Sequence, residues 1–162
     1  MLRHCLFIIC LLTTYSISGQ NKVNFLSDGS NTLSLRVTAY GKKAKEAIET
    51  AEQAAVRTIL FRGIPGSNQV ENPLIGVNEE KIQKEHKAYF KELFEEKRCS
   101  SFILSTVPVS KFSKDATKKK CIVADIKVNL QALRSDLEQH KVIRKFGFYQ
   151  KMSLKNENMS KT

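Results

Sequence analysis

The 162-residue chain carries a formal net charge of +11, from 27 Lys and Arg against 16 Asp and Glu. Its 41% hydrophobic content supports one packed core and excludes a disordered polyelectrolyte. The excess of base directs the chain towards anions: phospholipid head groups, lipopolysaccharide phosphates, acidic proteins or nucleic acid.

Met1 to Gln20 has the layout of a secretory signal peptide. A basic start at Arg3 precedes an apolar run from Cys5 to Leu12, then small and polar residues. The run is about eight residues, far short of the ~20 that span a bilayer as a helix. No second long apolar run follows, so no transmembrane span is expected after cleavage. Cleavage is expected after Ser18 or Gly19, making 1–19 the signal. The remaining chain of about 143 residues is then exported, to the periplasm or the cell surface. Cys10 follows Ile8-Ile9 rather than a small residue, which is not a lipid-anchor context.

Residues 20–31 read as a polar leader, with a turn at Asp28-Gly29-Ser30. Thr32 to Tyr40 alternates Leu33, Leu35, Val37 and Ala39 with polar residues, the pattern of a half-buried strand ended by Gly41. Lys42 to Phe61 is a helix. Ala44, Ala47, Ile48, Ala51, Ala54, Ala55, Thr58 and Ile59 repeat at helical spacing on its buried face. Those small residues let the axis sit close to a sheet. Gly63, Pro65 and Gly66 stop the helix. Ile64 to Val77 reads as an exposed loop.

Asn78 is an N-cap for a second helix, Glu79 to Arg98, whose stripe is Ile82, His86, Tyr89, Phe90, Leu93 and Phe94. Ser101–Val109 and Lys119–Asn129 form a hairpin, with Pro108 placed on an edge strand. Its link, Ser110 to Lys118, is long and basic. Asn129 caps a third helix, Leu130 to Lys141, that buries Leu130, Leu133 and Leu137. Residues 149–162 read as a polar, flexible tail. The order β-α-α-β-β-α over residues 32–148 predicts a single α+β domain. It has about three strands in an antiparallel or mixed sheet, with helices packed on one face.

Export invites a disulfide between the two remaining cysteines, Cys99 and Cys121. A turn centred near Asp115 places Cys121 opposite Val109, ten rungs and roughly 30 Å from Cys99. A bridge needs Cα atoms within ~7 Å, so two buried free thiols are expected. His86 and His140 are too scattered to build a zinc site with them, and no metal or cofactor is expected.

Two segments are candidates for anion or partner contact. Lys42 and Lys43 follow Gly41 at a helix N-terminus, where free N–H groups attract anions. The lysines oppose the helix dipole, so something must offset them. The spaced glycines of a phosphate-binding loop are absent. The hairpin link and the strand after it hold Lys111, Lys114, Lys118, Lys119 and Lys120 against the single acid Asp115. Such a run either contacts an anionic surface or keeps sheet edges from associating. No serine lies in a nucleophile-elbow context, and no carboxylate pair stands apart from helix-face charge. His86, Tyr89, Phe90 and Phe94 suit a core stripe rather than catalysis or base stacking. The chain reads as non-enzymatic, and nucleic acid is not the expected partner.

Leu33 to Gly63 resembles the opening of the N-terminal domain of flagellar assembly protein T and of related small bacterial envelope lipoprotein domains. The matching positions are Gly41, Ala44, Ala47, Ala51, Ala54, Ala55 and Gly63. The resemblance implies a scaffold or accessory module acting by protein–protein contact in a cell-envelope assembly. The chain shows neither the lipid-anchor cysteine nor the further domains of the flagellar protein, so a flagellar role is not implied. An alternative is a basic protein that binds anionic lipid or lipopolysaccharide through its lysine-rich hairpin. A small secreted hydrolase ranks third, because no nucleophile context supports it.

Overall fold

The computed structural model describes residues 21–144. The expected signal peptide, residues 145–148 and the expected tail lie outside the described residues. The described chain is an α+β domain: an antiparallel sheet with all its helices on one face.

Alternation builds the sheet. Strand β2 (Thr32–Tyr40) lies beside β5 (Lys120–Asn129). Their inward side chains meet as pairs: Leu33 with Val128, Leu35 with Ile126, Val37 with Ala124 and Ala39 with Ile122. All eight are buried. The outward residues are mostly polar, Cys121 and Val123 excepted, and Arg36 bonds Asp125 through two nitrogens at 2.7 and 2.8 Å. One face is therefore dry and the other wet, as expected for an antiparallel sheet covered on one side.

The sheet is wider than the expected three strands. Residues 20–31, read as a polar leader, contain β1 (Lys22–Gly29), which pairs with β2. Only Val23 and Phe25 of β1 turn inward among its apolar residues, and a bulge between Phe25 and Ser27 leaves Leu26 exposed. That broken alternation hides an edge strand. Strand β3 (Ile103–Pro108) pairs with β5 alone, so Pro108 does lie on an edge. Two further residues, Ser113 and Lys114, form β4 on the same side of β5. The sheet order is β1-β2-β5-β3.

Helix α1 (Ala44–Phe61) crosses the inner face of β2 and β5. Ala47, Ala51 and Ala55 have no exposed surface. Ala54 is partly buried against the core, and Ala44 is exposed because the face has not yet reached the sheet in the first turn. The expected second helix is broken into pieces. It comprises α2 (Glu79–Glu85), α3 (Lys87–Phe90) and a π-helical turn at Lys91–Glu95. A 3₁₀ turn at Arg98–Phe102 follows and takes over the expected start of the hairpin. His86 stands at the first break with φ −118° and ψ 42°. Tyr89, Phe90, Leu93 and Phe94 of the broken run are all buried in the core. Helix α4 (Leu130–Gln139) is capped by Asn129 as expected and buries Leu130, Leu133 and Leu137.

The loop from Ile64 to Val77 is less exposed than expected. Ile64, Ser67 and Val70 are buried, while Val77 is 81% exposed. The hairpin register also differs from expectation. Cys121 faces Ser113, not Val109, because the tight turn is at Asp115–Lys119. Cys99 precedes β3, whose Ile103 faces Val128, whereas Cys121 lies seven residues back along β5. The two thiols are free and about 20 Å of strand apart; Cys99 is buried as expected, but Cys121 is only partly buried because it lies on the outward face of β5.

Candidate functional site

The register of three strands brings the two lysine segments to one end of the sheet. Tyr40, the last residue of β2, faces Cys121. The next residue, Gly41, donates its N–H to the carbonyl of Lys120 at 3.2 Å. Lys42 and Lys43 thus begin beside the start of β5. On the other side of β5, Lys114 faces Lys120 directly. Lys118 and Lys119 form the turn between them, and Lys111 precedes β4. Segments more than sixty residues apart in sequence become one cationic end.

Gly41 is what allows the close approach. A Cβ there would lie 2.7 Å from the amide nitrogen of Ala47, in the first turn of α1. The lysines that oppose the helix dipole are offset from within. The Lys42 N–H donates to the Glu46 carboxylate at 3.1 Å. This bond places the Glu46 carboxylate beside Lys42 in the first turn of α1, while the N-cap position Lys43 makes no side-chain cap bond.

Asp115 is fully used inside the turn. Its carboxylate accepts the Thr117 hydroxyl at 2.7 Å, the Tyr40 hydroxyl at 2.9 Å and the N–H groups of Thr117 and Lys119. The Thr117 bond, followed by the others, holds its carboxyl below the usual carboxylate range. Tyr40 was not singled out from sequence, yet it ties the hairpin to β2. Among the described residues, none of Lys42, Lys43, Lys111, Lys114, Lys118, Lys119 and Lys120 makes an ion pair. Lys120 has only the Phe112 ring, 5.9 Å from its ammonium. Like charges directly across a strand pair are destabilising, so Lys114 opposite Lys120 is a local cost to the fold.

The other candidates resolve into packing. Phe90 stacks with Phe94 and lies within 5.6 Å of Phe61. The Tyr89 hydroxyl donates to Asp136 of α4 at 2.8 Å, and Arg98 reaches the same carboxylate at 2.7 Å. Burial pushes the thiols of Cys99 and Cys121 up, away from reactive thiolates. Among the described residues no group of three His, Cys, Asp or Glu could hold a metal ion, and no helix is long and apolar enough to cross a membrane.

Comparison with protein-family models, with curated proteins and with solved structures gives no match.

Proposed function

We propose that the chain is an exported, non-enzymatic binding module of the bacterial envelope, and that its lysine-rich end docks an acidic protein partner. The observation that carries the reading is the convergence of Lys42, Lys43 and the hairpin lysines on one end of the sheet, where they outnumber the nearby acids Glu46 and Asp115 and form no ion pair with them. The signal-like leader and the likeness of Leu33–Gly63 to envelope modules support the location. A membrane-surface role is the second reading. Val107 and Val109, 55% and 46% exposed, lead into the same hairpin and would sit against lipid beside the lysines.

Crosslinking and pull-down of the tagged full-length protein from its own cells tests both. The expected outcome is an acidic envelope protein, recovered with the wild type and lost with the Lys118→Gln/Lys119→Gln/Lys120→Gln variant. Recovery of lipid alone, with binding to anionic vesicles that fades as salt rises, would transfer the role to the membrane surface. Steady turnover of an envelope substrate by the pure protein would end the binding-module reading.

A further inference from the structure

Granted the docking role proposed above, on which this rests, we propose that the partner's contact extends from the lysine-rich end along an exposed apolar strip on β3. The strip takes a short acidic segment of the partner, one whose apolar side chains lie between carboxylates.

Leu104, Val107 and Val109 are 53%, 55% and 46% exposed, three of the five exposed large hydrophobic residues among the described residues. Single exposed apolar residues are ordinary, whereas neighbours grouped on one strand mark a contact surface. Thr106, between them, turns inward and donates its hydroxyl to Glu52 of α1 at 2.7 Å. Val107 turns the other way, opposite the outward residue Asp125. The Val109 N–H donates to the Val123 carbonyl at 2.8 Å, so Val109 lies beside the outward residue Val123. Cys121, two residues back along β5, carries the apolar surface towards Lys120.

Positive charge brackets the strip. At one end Lys127 is exposed opposite Ser105. At the other end lie Lys111, Lys114 and Lys120. None of these four makes an ion pair among the described residues. The acid beside the strip is already paired, since Asp125 accepts two bonds from Arg36. Lys120 and Lys127 are about 23 Å apart along β5, and Leu104 to Val109 spans about 17 Å. A segment with a few apolar side chains between acidic ends matches that spacing, and each of its end carboxylates gains a charge-assisted bond.

Two other occupants fit less well. A bilayer laid on this face would cover the Arg36–Asp125 pair and the outward hydroxyls of Ser34 and Thr38 without offering them partners. A peptide backbone can bond them. A second copy adding itself as a further strand meets Pro108, which has no N–H to give it. The strip is also only about 17 by 10 Å across two strands. That is far below the roughly 800 Å² that each partner of a stable dimer contributes.

The test uses the tagged full-length protein in its own cells. Leu104→Thr/Val107→Thr/Val109→Thr removes the apolar surface while keeping a strand-forming side chain at each exposed position, and circular dichroism checks that the fold is kept. Recovery of the acidic partner should fall about tenfold or more, and Lys127→Gln should lower it a few-fold. The photo-crosslinker benzoylphenylalanine in place of Val107 should capture a partner peptide that carries carboxylates on both sides of its apolar residues. The same group in place of Lys91, exposed on the helical side, should capture none. A partner lost with Lys118→Gln/Lys119→Gln/Lys120→Gln but kept by the threonine variant would overturn the strip and leave the docking role standing. A partner kept by that lysine variant would overturn the docking role and the strip with it. Crosslinked lipid, a captured peptide without acids, or equal capture from the Lys91 position would each overturn the strip as a site for an acidic segment.

Discussion

Ser67 and Asp28 show how one polar contact decides the fate of a whole loop. Ser67 is 2% exposed, and its hydroxyl donates to Asp28 at 2.7 Å while accepting the N–H groups of Gln69 and Val70 at 3.2 Å. Asp28 also accepts the Asn68 N–H at 2.7 Å and the Gln69 amide. A loop rich in Pro and Gly is thereby pinned to β1. Burial raises the Asp28 carboxyl, but the bonds from Ser67, Asn68 and Gln69 outweigh it, and the net direction is down from 3.8. A carboxyl lowered in the folded state adds stability that is complete above its unfolded value and is lost as pH falls through the lower folded value. Ser67→Ala should cost about 1–3 kcal/mol in urea unfolding at neutral pH. The gap between variant and wild type should narrow below about pH 4. Gly63 is a second position of this kind. It holds φ at +75°, and a Cβ there would come within 2.3 Å of the Glu71 carbonyl oxygen. The stop after α1 could be read from that glycine, but its contact with Glu71 depends on how the loop returns.

Among the elements, α1 tests the expectation of a small-residue face. Ala51 has no exposed surface and lies in the core beneath the sheet, whereas Ala44 is exposed. Ala51→Leu should lower stability by about 1–3 kcal/mol, because the extra volume has no void to enter. Ala44→Leu should stay within about 0.5 kcal/mol of wild type. Both are read by thermal or urea unfolding, and equal effects would mean that α1 does not pack as closely as Gly41 and its alanines imply. Strands β2 and β5 and helix α4 were legible because alternation and an N-cap are local signals. Strand β1 was not, since the bulge between Phe25 and Ser27 breaks its alternation at Leu26. The breaks in the second helix were also hidden. Periodicity reports which residues are apolar, while the partner surface decides how far the backbone bends to bury them.

At the scale of the molecule, a one-sided sheet leaves one end crowded with positive charge. The hairpin lysines repel one another and Lys42 and Lys43, and the single acid of the turn is taken up by Thr117, Tyr40 and Lys119. Replacing Lys118, Lys119 and Lys120 by Gln should therefore leave the melting temperature unchanged or raise it at low salt. The difference should disappear as ionic strength shortens the Debye length from about 30 Å at 0.01 M to about 10 Å at 0.1 M. A marked loss of stability instead would assign these lysines a structural role. The two lysine segments were each visible in the sequence, and Asp115 was visible as the acid among them. Their union was not, because it depends on Gly41 meeting Lys120 across a strand pair.

The sequence by itself determined the class of fold, the inner faces of β2, β5 and α4 and the basic character of the chain. Each of these follows from side-chain period and charge along a few consecutive residues. Only the tertiary structure decided the width of the sheet, the breaks between α2 and the π-helical turn, the burial of the Ile64–Val70 loop and the joining of distant lysines into one end. These rest on contacts between residues far apart in the chain, where packing and strand register outweigh local preference.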